Sequence, residues 1–295
     1  MTFAKEPTMA PSKEETMALV KEQTKLLFLD LDGTLLNSEK QVSEGNRAAL
    51  EEARQAGHKI ILCSGRPLSA MKKIIKSLSL DKEGCYAICY NGALIYDTFQ
   101  QKALFSSPLS AEEVEFIWGE ADKIGLYAQT YDSSFLLTRK DCKEFRTYSG
   151  ITGMEPHFIP TLPKDLPELP FKVLCIDLED HDRLEQFRQH ITKECSGKYN
   201  LTGFFSCNEF VEFVRGGISK GSAIEWMAEA LGVPMENTIG VGDSDNDLPM
   251  LQTAYISVAM ANSADAIKAA AKYVTTLDND HDGVAEVIHR FVLAD

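Results

Sequence analysis

Short apolar runs, several of them ending in glycine or a polar residue, constrain the fold of this chain more than any other sequence feature. Continuous runs of β-branched and aliphatic residues at this length are typical of strands that are buried on both faces of a sheet. Segments with helical periodicity separate several of the runs, and this alternation predicts a parallel sheet with helices on both faces. The predicted strands are LLFLD (26–30), KIILCSG (59–65), YAICYNG (86–92), TIGVGD (238–243), YISVAM (255–260) and KYVTT (272–276), and the predicted helices are 43–57, 68–78 and 219–232.

The middle of the chain has a different pattern. From about residue 96 to residue 215 the order becomes helix, hairpin, helix, hairpin, and the proline-rich segment 156–170 is predicted to connect two halves. We therefore expect an α/β protein whose core is a Rossmann-like, doubly wound parallel sheet, with an α+β cap domain inserted into it. The predicted division is an N-terminal extension at 1–24, a core at 25–95 and 216–295, and a cap at 96–215, with hinges near Tyr96 and Gly216–Gly217.

Charge and composition exclude several classes of function. The formal net charge of −14 argues against nucleic acid or an anionic membrane as a partner. No apolar run approaches the ~18 residues of a membrane span, and the N-terminal segment lacks the apolar centre of a secretory signal. The seven cysteines form no CxxC pair, and the six histidines lie at no zinc-ligand spacing. We expect a protein of the reduced cytoplasm, a monomer by default, that binds neither nucleic acid nor membranes.

Two acidic clusters follow predicted strands. Asp30 and Asp32 in DLDGT are two residues apart, so in extended chain both carboxylates point to the same face. The second cluster, IGVGDSDNDLPM at 239–250, contains Asp243 and Asp247. Since the carboxyl ends of parallel strands meet at one edge, we expect Asp30, Ser64, Asn91 and Asp243 at a shared rim. Three or more carboxylates there require a divalent cation, and ligation by oxygen alone favours Mg²⁺.

Each cluster taken alone has a simpler interpretation. A bare DxDG motif is at least as often an Asx-rich turn as a catalytic element, and the second cluster is also typical of a solvated loop after a strand. A calcium-binding EF-hand loop is excluded for the first cluster, because its sixth and twelfth positions are Leu35 and Gln41. The second cluster fails the same test, with Leu248 and Ala254 at these positions.

Polar residues at two predicted strand–helix junctions suit an anion. Lys220 opens a helix 23 residues before Asp243, where its charge opposes the helix dipole; the alternative is a surface lysine. Ser64 and Gly65 follow a strand, and a hydroxyl with a free N–H at such a junction suits a phosphate oxygen. Arg66, which precedes Pro67, contacts substrate or pins the insert, and the sequence favours neither interpretation.

Four motifs in this order, DLDGT, CSGR, SKG and GDSDNDLPM, resemble those of the haloacid dehalogenase superfamily of phosphatases. The long insert, the YNGA segment at 90–93 and the phrase GGISKGSAI resemble its Cof-type subfamily (class IIB). The resemblance covers the chain from about Lys25 to the C-terminus.

The resemblance implies a role for each motif residue. Asp30 would be the nucleophile, Asp32 the general acid and base, and Ser64 and Lys220 the groups that bind the phosphoryl group. Asp243 would complete a Mg²⁺ site with Asp30 and the backbone carbonyl of Asp32. The remaining members of the predicted site are Gly65, Arg66 and Asn246, which would contact the phosphate, and Asp247, which would support the metal from behind its ligands.

The resulting hypothesis is a Mg²⁺-dependent phosphatase that acts on small phosphorylated metabolites through an aspartyl-phosphate. The resemblance implies sugar phosphates as the default substrates, and nucleotide or cofactor phosphates stay open as alternatives. Two alternatives stay open: a phosphosugar mutase, and a phospho-acceptor or metabolite-binding module without turnover. The insert would select the substrate, as a lid that closes over the rim. Its candidate contact residues are Tyr131, Asp132, Arg139, Cys207 and Glu209.

Overall fold

The computed structural model describes residues 24–294 and contains two β-sheets with helices packed on them. Residues 1–23, which hold most of the predicted N-terminal extension, lie outside this range. The strands are β1 Leu26–Asp30, β2 Lys59–Cys63, β3 Cys85–Cys89, β4 Leu94–Asp97, β5 Lys102–Ser106, β6 Tyr127–Tyr131, β7 Leu136–Thr138, β8 Pro156–Phe158, β9 Val173–Ile176, β10 Leu201–Cys207, β11 Phe210–Arg215, β12 Thr238–Gly242, β13 Ile256–Ala259 and β14 Tyr273–Val274. The α-helices are α1 Glu44–Gln55, α2 Leu68–Ser77, α3 Ala111–Lys123, α4 Lys143–Thr152, α5 His181–Glu194, α6 Lys220–Leu231, α7 Leu248–Thr253, α8 Asp265–Ala270 and α9 Gly283–Val287.

The larger sheet has the strand order β14-β13-β12-β1-β2-β3-β4-β5. Its strands from β14 to β3 are parallel, whereas β4 and β5 pair antiparallel at one end. The central strand β1 is buried along its whole length, as expected for an apolar strand between two layers of helices. The predicted α/β class with a parallel-rich central sheet is confirmed.

Apolar side chains cover both faces of this sheet. One face packs Leu27 and Leu29 of β1 against α1, α2 and the C-terminal helix α9. The opposite face packs Leu26 and Phe28 against Ile224 of α6 and the following helices. Because successive side chains of a strand point to opposite faces, β1 contributes to both cores. The strand is therefore held rigidly, which fixes the position of Asp30 at its carboxyl end.

The smaller sheet, with the order β10-β11-β9-β6-β7-β8, belongs to the insert. Its neighbours are antiparallel except for β7 and β8, which are parallel. The side chains of α3 and α5 pack with one face of this sheet around Trp118 and Phe187. The other face packs Tyr131 and Leu174 against Phe145 and Tyr148 of α4.

Two details of the predicted division need correction. Strand β5 pairs with β4 in the larger sheet, so this sheet extends past residue 96, where the insert was predicted to begin. The proline-rich segment 156–170 was predicted to be a connecting loop, but its first residues form β8, which pairs with β7. Within residues 24–294, none of the helices has both the length and the apolar composition to cross a membrane.

Candidate active site

Three neighbouring parallel strands bring the predicted residues to one rim of the larger sheet. Leu29 of β1 is in register with Val241 of β12 on one side and Leu62 of β2 on the other. Asp30 ends β1, Ser64 follows β2, and Asp243 follows β12. The common register places the ends of these strands side by side, as the strand–helix alternation predicted.

Lys220 joins two of the carboxylates in a buried network. Its Nζ lies 2.5 Å from Asp30 Oδ1 and 2.5 Å from Asp247 Oδ1, and its side chain is 0% exposed. The burial acts to lower the pKa of this ammonium, but the charges of Asp247 and Asp30 outweigh it and raise the pKa of Lys220. A buried cation of this kind is tolerated only when it is paired, so Lys220 stays protonated and holds both carboxylates in place.

Asp30, Asp243 and Asp247 form a cluster whose carboxylate oxygens lie within 4.8 Å of one another. Burial, and next the charge of Asp247, raises the pKa of Asp30 well above its ordinary value, although Lys220 opposes the shift. Burial also raises the pKa of Asp243, to about 6. The cluster contains three carboxylates and one ammonium, and of the three carboxylates this ammonium contacts only Asp30 and Asp247. When all three carboxylates are ionised, the cluster has more negative charge than Lys220 neutralises, so an added cation would stabilise the ionised form.

The residues of this cluster fit a divalent metal ion. The available donors are carboxylate oxygens, which suit a hard cation such as Mg²⁺ or Ca²⁺. The Thr34 hydroxyl donates to Asp243 Oδ1 at 2.8 Å and orients that carboxylate. Gly33 has a φ of +81°, and a Cβ at this position would overlap the Asp243 carboxylate. Glycine at position 33 therefore leaves the space that the Asp243 carboxylate occupies, and any larger residue would displace this carboxylate.

Asp247 anchors the loop that carries Asp243. Its Oδ2 accepts hydrogen bonds from the backbone N–H groups of Asp243 at 3.0 Å and Ser244 at 3.1 Å. Its Oδ1 accepts from Lys220. Every oxygen of this buried carboxylate thus has a donor within the protein, so Asp247 orients its neighbours from behind the Asp243 loop.

Asp32 lies apart from the cluster, although it is only two residues from Asp30. Its carboxylate accepts from Arg66 Nε at 2.9 Å and from Arg66 Nη2 at 2.7 Å, in a bidentate pair, and from Lys40 Nζ at 2.8 Å. Burial opposes ionisation, but the hydrogen bonds from Arg66 and Lys40 outweigh it and lower the pKa of Asp32. In this arrangement Asp32 is an ionised carboxylate with two cationic partners.

The loops after β2 and β3 are hydrogen-bonded to each other. Asn91 N donates to Ser64 O at 3.1 Å, and Tyr90 N donates to Arg66 O at 3.2 Å. The Asn91 side chain lies against Gly65, where a Cβ would come within 2.9 Å of Asn91 Nδ2. Asn246 Nδ2, from the loop after β12, lies 3.4 Å from Asn91 Oδ1. Apart from Lys220 at the start of α6, the predicted phosphate-binding residues therefore lie on connected loops.

A cavity of about 400 Å³ opens over the rim, between the larger sheet and the insert. This volume lies in the range of small-molecule sites. The core contributes charged and polar residues to its wall, and the insert contributes aromatic, apolar and polar residues. The lining residues are Asp30, Asp32, Lys40, Ser64, Gly65, Arg66, Pro67, Ala70, Tyr148, Ile151, Thr152, Met154, Lys172, Ser206, Cys207, Phe210, Glu212, Ser244 and Asn246.

Only some of the insert residues that were predicted to contact the substrate lie at the cavity. Cys207 lines the cavity. Tyr131 is buried in the core of the insert, and Asp132 accepts hydrogen bonds from the backbone of its own turn. Arg139 borders a different cavity, where it pairs with Asp122 at 2.8 Å. The prediction of Arg139 as a contact residue is wrong for this cavity, because Arg139 follows β7 and is not among the residues that line the cavity over the rim.

Several lining residues were not predicted from the sequence. Lys172 and Glu212 form a buried ion pair in the insert wall, and Lys40 contacts Asp32. A signal for the first two exists, since each is a lone charge beside or inside an apolar strand, in FKVLCID and FVEFVR. A buried charge is costly unless it is paired or used. Lys40 has no comparable signal, because it lies in a polar segment.

Comparisons with known proteins agree with the architecture and the motifs. The family model for haloacid dehalogenase-like hydrolases matches residues 27–288. YxeH of Bacillus subtilis (strain 168) is 36% identical over 274 residues, which are 92% of this chain and 99% of that protein. YbhA of Escherichia coli (strain K12), named pyridoxal phosphate phosphatase, is 31% identical over 274 residues, 91% of this chain and 99% of that protein.

A solved structure agrees as well. The crystal structure of a haloacid dehalogenase-like hydrolase from Bacteroides thetaiotaomicron has a TM-score of 0.81 and 31% identity, and the match covers 90% of this chain and 99% of that one. The family model, the relatives and this structure all extend over both the larger sheet and the insert. The chain belongs to the haloacid dehalogenase-like hydrolases, as its four motifs predicted.

Proposed function

We propose that this chain is a Mg²⁺-dependent phosphatase that hydrolyses small phosphorylated metabolites through an aspartyl-phosphate. The observation that carries the proposal is the buried carboxylate of Asp30, which Lys220 holds within a cluster of three aspartates. Asp30 also lines a cavity of about 400 Å³, so this carboxylate borders a substrate-sized space. The name of the Escherichia coli relative supports a small phosphorylated substrate.

Asp30 is the proposed nucleophile. Its carboxylate lines the cavity, and the contact of Oδ1 with Lys220 fixes the orientation of the group. Attack forms a bond from an Asp30 oxygen to phosphorus and breaks the bond from phosphorus to the leaving alcohol, which takes a proton from Asp32. A water molecule that returns a proton to Asp32 then attacks phosphorus and releases inorganic phosphate and the free Asp30 carboxylate. The ammonium of Lys220 offsets negative charge on Asp30 and on the phosphoryl oxygens during both steps.

Asp30 and Asp243 are the residues that would hold Mg²⁺, with the backbone carbonyl of Asp32 as the third protein ligand and Asp247 behind them. When bound, the ion would neutralise the carboxylates and polarise the phosphoryl group. The raised pKa of Asp30 and of Asp243 supports this assignment, because the site without a cation favours protonation and a nucleophile must be ionised.

Asp32 is the proposed proton carrier, and Arg66 is the cation that pairs with it. A carboxylate with two cationic partners is a poor acid, so the Asp32–Arg66 pair must loosen before Asp32 can protonate the leaving alcohol. The phosphate of the substrate competes for Arg66, since guanidinium binds phosphate in the same bidentate manner. Arg66 would then contact the substrate, and Asp32 would regain its proton affinity.

The remaining contacts to the phosphate are assigned to the connected loops of the rim. Ser64, Gly65 and Asn246 all border the cavity. The proposed donors are the Ser64 hydroxyl, the backbone N–H of Gly65 and the side-chain amide of Asn246. We propose that the insert is the cap that closes over these groups and selects the leaving group. Sugar phosphates are the proposed substrates.

The test is a panel of phosphorylated metabolites assayed for inorganic phosphate with Mg²⁺ and then with EDTA. Chelation is expected to abolish turnover, and activity that is indifferent to EDTA would remove the metal from the scheme. A sugar phosphate that is isomerised without release of phosphate would indicate a mutase, and an aspartyl-phosphate that accumulates would indicate a phospho-acceptor.

Asp30→Asn is the decisive variant. The substitution removes the nucleophilic oxygen, so we expect a loss of at least about a thousandfold in kcat. Lys220 keeps its contact with Asp247, so the fold should be retained, which circular dichroism checks. Turnover near the wild-type rate in a folded Asp30→Asn protein would refute the assignment.

We also propose a location in the reducing cytoplasm. All seven cysteines are free thiols, and Cys63, Cys85, Cys89, Cys175 and Cys195 are buried. Free buried thiols are typical of proteins from reducing compartments. Fractionation of the native host followed by immunodetection tests this assignment.

A further inference from the structure

The insert wall of the cavity contains a buried ion pair that none of the proposed steps uses. Lys172 precedes β9, and Glu212 lies in β11, which pairs antiparallel with β9. Lys172 Nζ lies 3.0 Å from Glu212 Oε2, and the two side chains are 2% and 5% exposed. Both residues line the same cavity as Asp30.

This pair touches the loops of the core that border the proposed phosphate site. Lys172 Nζ donates to Gly65 O at 3.1 Å, next to Ser64. Asn91 Nδ2 lies 3.4 Å from Glu212 Oε2. A phosphoryl group held at the rim must direct the rest of its substrate away from the core strands and toward the insert. The ion pair thus lies where the first atoms of the leaving group would pass.

The surroundings of the pair are apolar and aromatic. Lys172 Nζ lies 5.1 Å from the centroid of the Tyr131 ring, and Tyr148 and Phe210 line the adjoining wall. Burial acts to lower the pKa of Lys172, but Glu212 outweighs it and raises the pKa, so the ammonium stays charged. Buried ion pairs are often no more stable than an apolar pair of equal volume, so stability alone is a weak reason for charges here.

The chemistry of the pair matches a hydroxyl group. An ammonium only donates hydrogen bonds, a carboxylate only accepts them, and a hydroxyl does both. A second anionic group on the leaving alcohol would be attracted by Lys172 but repelled by Glu212, and an alkyl chain would cover both charges without a hydrogen bond to either. We propose that Lys172 and Glu212 together bind a hydroxyl of the leaving alcohol, so that the site selects polyol and sugar phosphates. This inference rests on the proposed phosphatase function and adds the residues that select its substrates.

The test compares pairs of substrates that differ only in hydroxyl groups: glycerol 3-phosphate with propyl phosphate, and erythritol 4-phosphate with butyl phosphate. In Lys172→Met and Glu212→Gln, kcat/KM for the polyol phosphates is expected to fall roughly 10- to 100-fold, the value of a hydrogen bond to a charged group. For the alkyl phosphates we expect a change within about twofold. The matched control is Lys143→Met, which breaks an exposed ion pair with Glu179 in the same insert and should leave both ratios unchanged.

Two outcomes would overturn the inference. Equal losses for polyol and alkyl phosphates would make the pair a structural contact, and a wild-type protein that does not prefer the polyol phosphates would remove the selectivity. The double variant Lys172→Met/Glu212→Leu leaves no unpaired charge, so it keeps the comparison valid if a single variant fails to fold.

Binding to the Asp30→Asn protein separates this inference from the proposed function. Calorimetry with glycerol 3-phosphate and propyl phosphate measures recognition without turnover. A preference for glycerol 3-phosphate that disappears in Asp30→Asn/Lys172→Met supports the hydroxyl site even if no phosphate is ever released. The absence of any preference overturns it, whatever the catalytic activity.

Discussion

The carboxylates at the rim are buried to different extents and have different hydrogen-bond partners, and both factors affect their charge. Asp30 shares Lys220 with Asp247, Asp32 pairs with Arg66, and Asp243 accepts a hydrogen bond from the neutral Thr34 hydroxyl. A neutral donor offsets much less of the cost of burial than a cation does. The charge of Asp243 should accordingly respond to an added cation, so pH and metal should act together at this residue.

The first prediction at this scale concerns pH. Burial raises the pKa of Asp243 from 3.8 to about 6, so between these values the folded protein holds a proton that the unfolded chain has released. The contribution of Asp243 to the free energy of unfolding therefore falls as pH rises through this interval and is constant above about 6. In metal-free protein at pH 7, Asp243→Asn should be more stable than the wild type by about 3 kcal/mol, and this advantage should shrink toward pH 4.

Urea unfolding with EDTA at several pH values measures this difference. The control is Asp245→Asn, an exposed position in the same loop, for which we expect no such pH-dependent gain. An advantage of Asp243→Asn that is the same at pH 4 and pH 7 would contradict the assignment. Added Mg²⁺ should stabilise the wild type and not Asp243→Asn.

The second prediction concerns the space beside Asp243. Gly33→Ala adds a Cβ that overlaps the Asp243 carboxylate, at a φ of +81° that alanine adopts only with strain. We expect destabilisation of about 1–2 kcal/mol and at least a tenfold loss of kcat/KM, because the carboxylate must move.

Gly57→Ala is the matched control for this change. Its φ is +93°, and nothing lies within 4 Å of a Cβ there, so it has the strain without the contact. Thermal unfolding and phosphate release of both variants give the comparison. If both lose activity equally, the close approach of Gly33 to Asp243 has no functional role.

At the scale of elements, one helix terminus positions the central cation. Helix α6 begins with Lys220, and its N-cap is Ser219, whose side chain accepts from the backbone N–H of Ser222. A lysine in the first turn opposes the helix dipole, and the two carboxylates offset this cost. Ser219→Ala should therefore cost about 1 kcal/mol of stability and also displace Lys220, with a loss of activity of about tenfold.

A second helix provides the control. Ser110 caps α3 in the insert with the same reciprocal bonding, here to Glu113. Ser110→Ala should lose a similar amount of stability but keep its activity within about twofold. Thermal unfolding and initial rates separate the two effects. Equal activity of the two variants would show that the cap of α6 matters only for folding.

Local patterns predicted those elements whose own sequence is decisive. The bounds of strand β1 and helix α6 were predicted to within one residue. A continuous apolar run indicates the buried strand, and residues typical of helix ends indicate where the helix begins and ends. Strand β5, with the sequence KALFS, fell within the predicted insert. The strand is mostly exposed in the structure, and only its pairing with β4 shows that it belongs to the larger sheet. Short α4 lacks a side-chain N-cap and was missed.

The same distinction applies to the candidate site. Asp30, Asp243 and Lys220 follow strands or open a helix, so their meeting at one rim is a consequence of parallel topology. Lys172 and Glu212 reach the rim only because the insert folds back over it, which depends on long-range packing and strand register. Sequence patterns can mark such residues as unusual but cannot say what they face.

At the scale of the whole molecule, the insert docks on the core through contacts that surround the cavity. Besides the hydrogen bond from Lys172 to Gly65, the ring of Phe171 in the insert stacks on Tyr90 of the core, with centroids 4.7 Å apart and an interplanar angle of 24°. Phe171 also packs against the core of the larger sheet. These contacts hold the insert over the rim, in a position that would shield the proposed leaving group from water.

The last prediction tests whether this position of the insert over the rim contributes to substrate binding. Phe171→Ala removes a half-buried ring at the junction, so it should cost about 1–2 kcal/mol of docking and raise KM for the preferred metabolite about tenfold. Acetyl phosphate, which is too small to reach the insert, should show a change within about twofold. Hydrogen exchange should become faster at Gly216–Gly217, where the chain passes from the insert back to the core.

Phe116→Ala is the control, since Phe116 makes a comparable ring contact with Tyr199, 5.0 Å between centroids, wholly within the insert. If both variants change KM and exchange alike, the effect is a general loss of insert stability, whereas a change confined to Phe171→Ala identifies the junction as the element that closes the site.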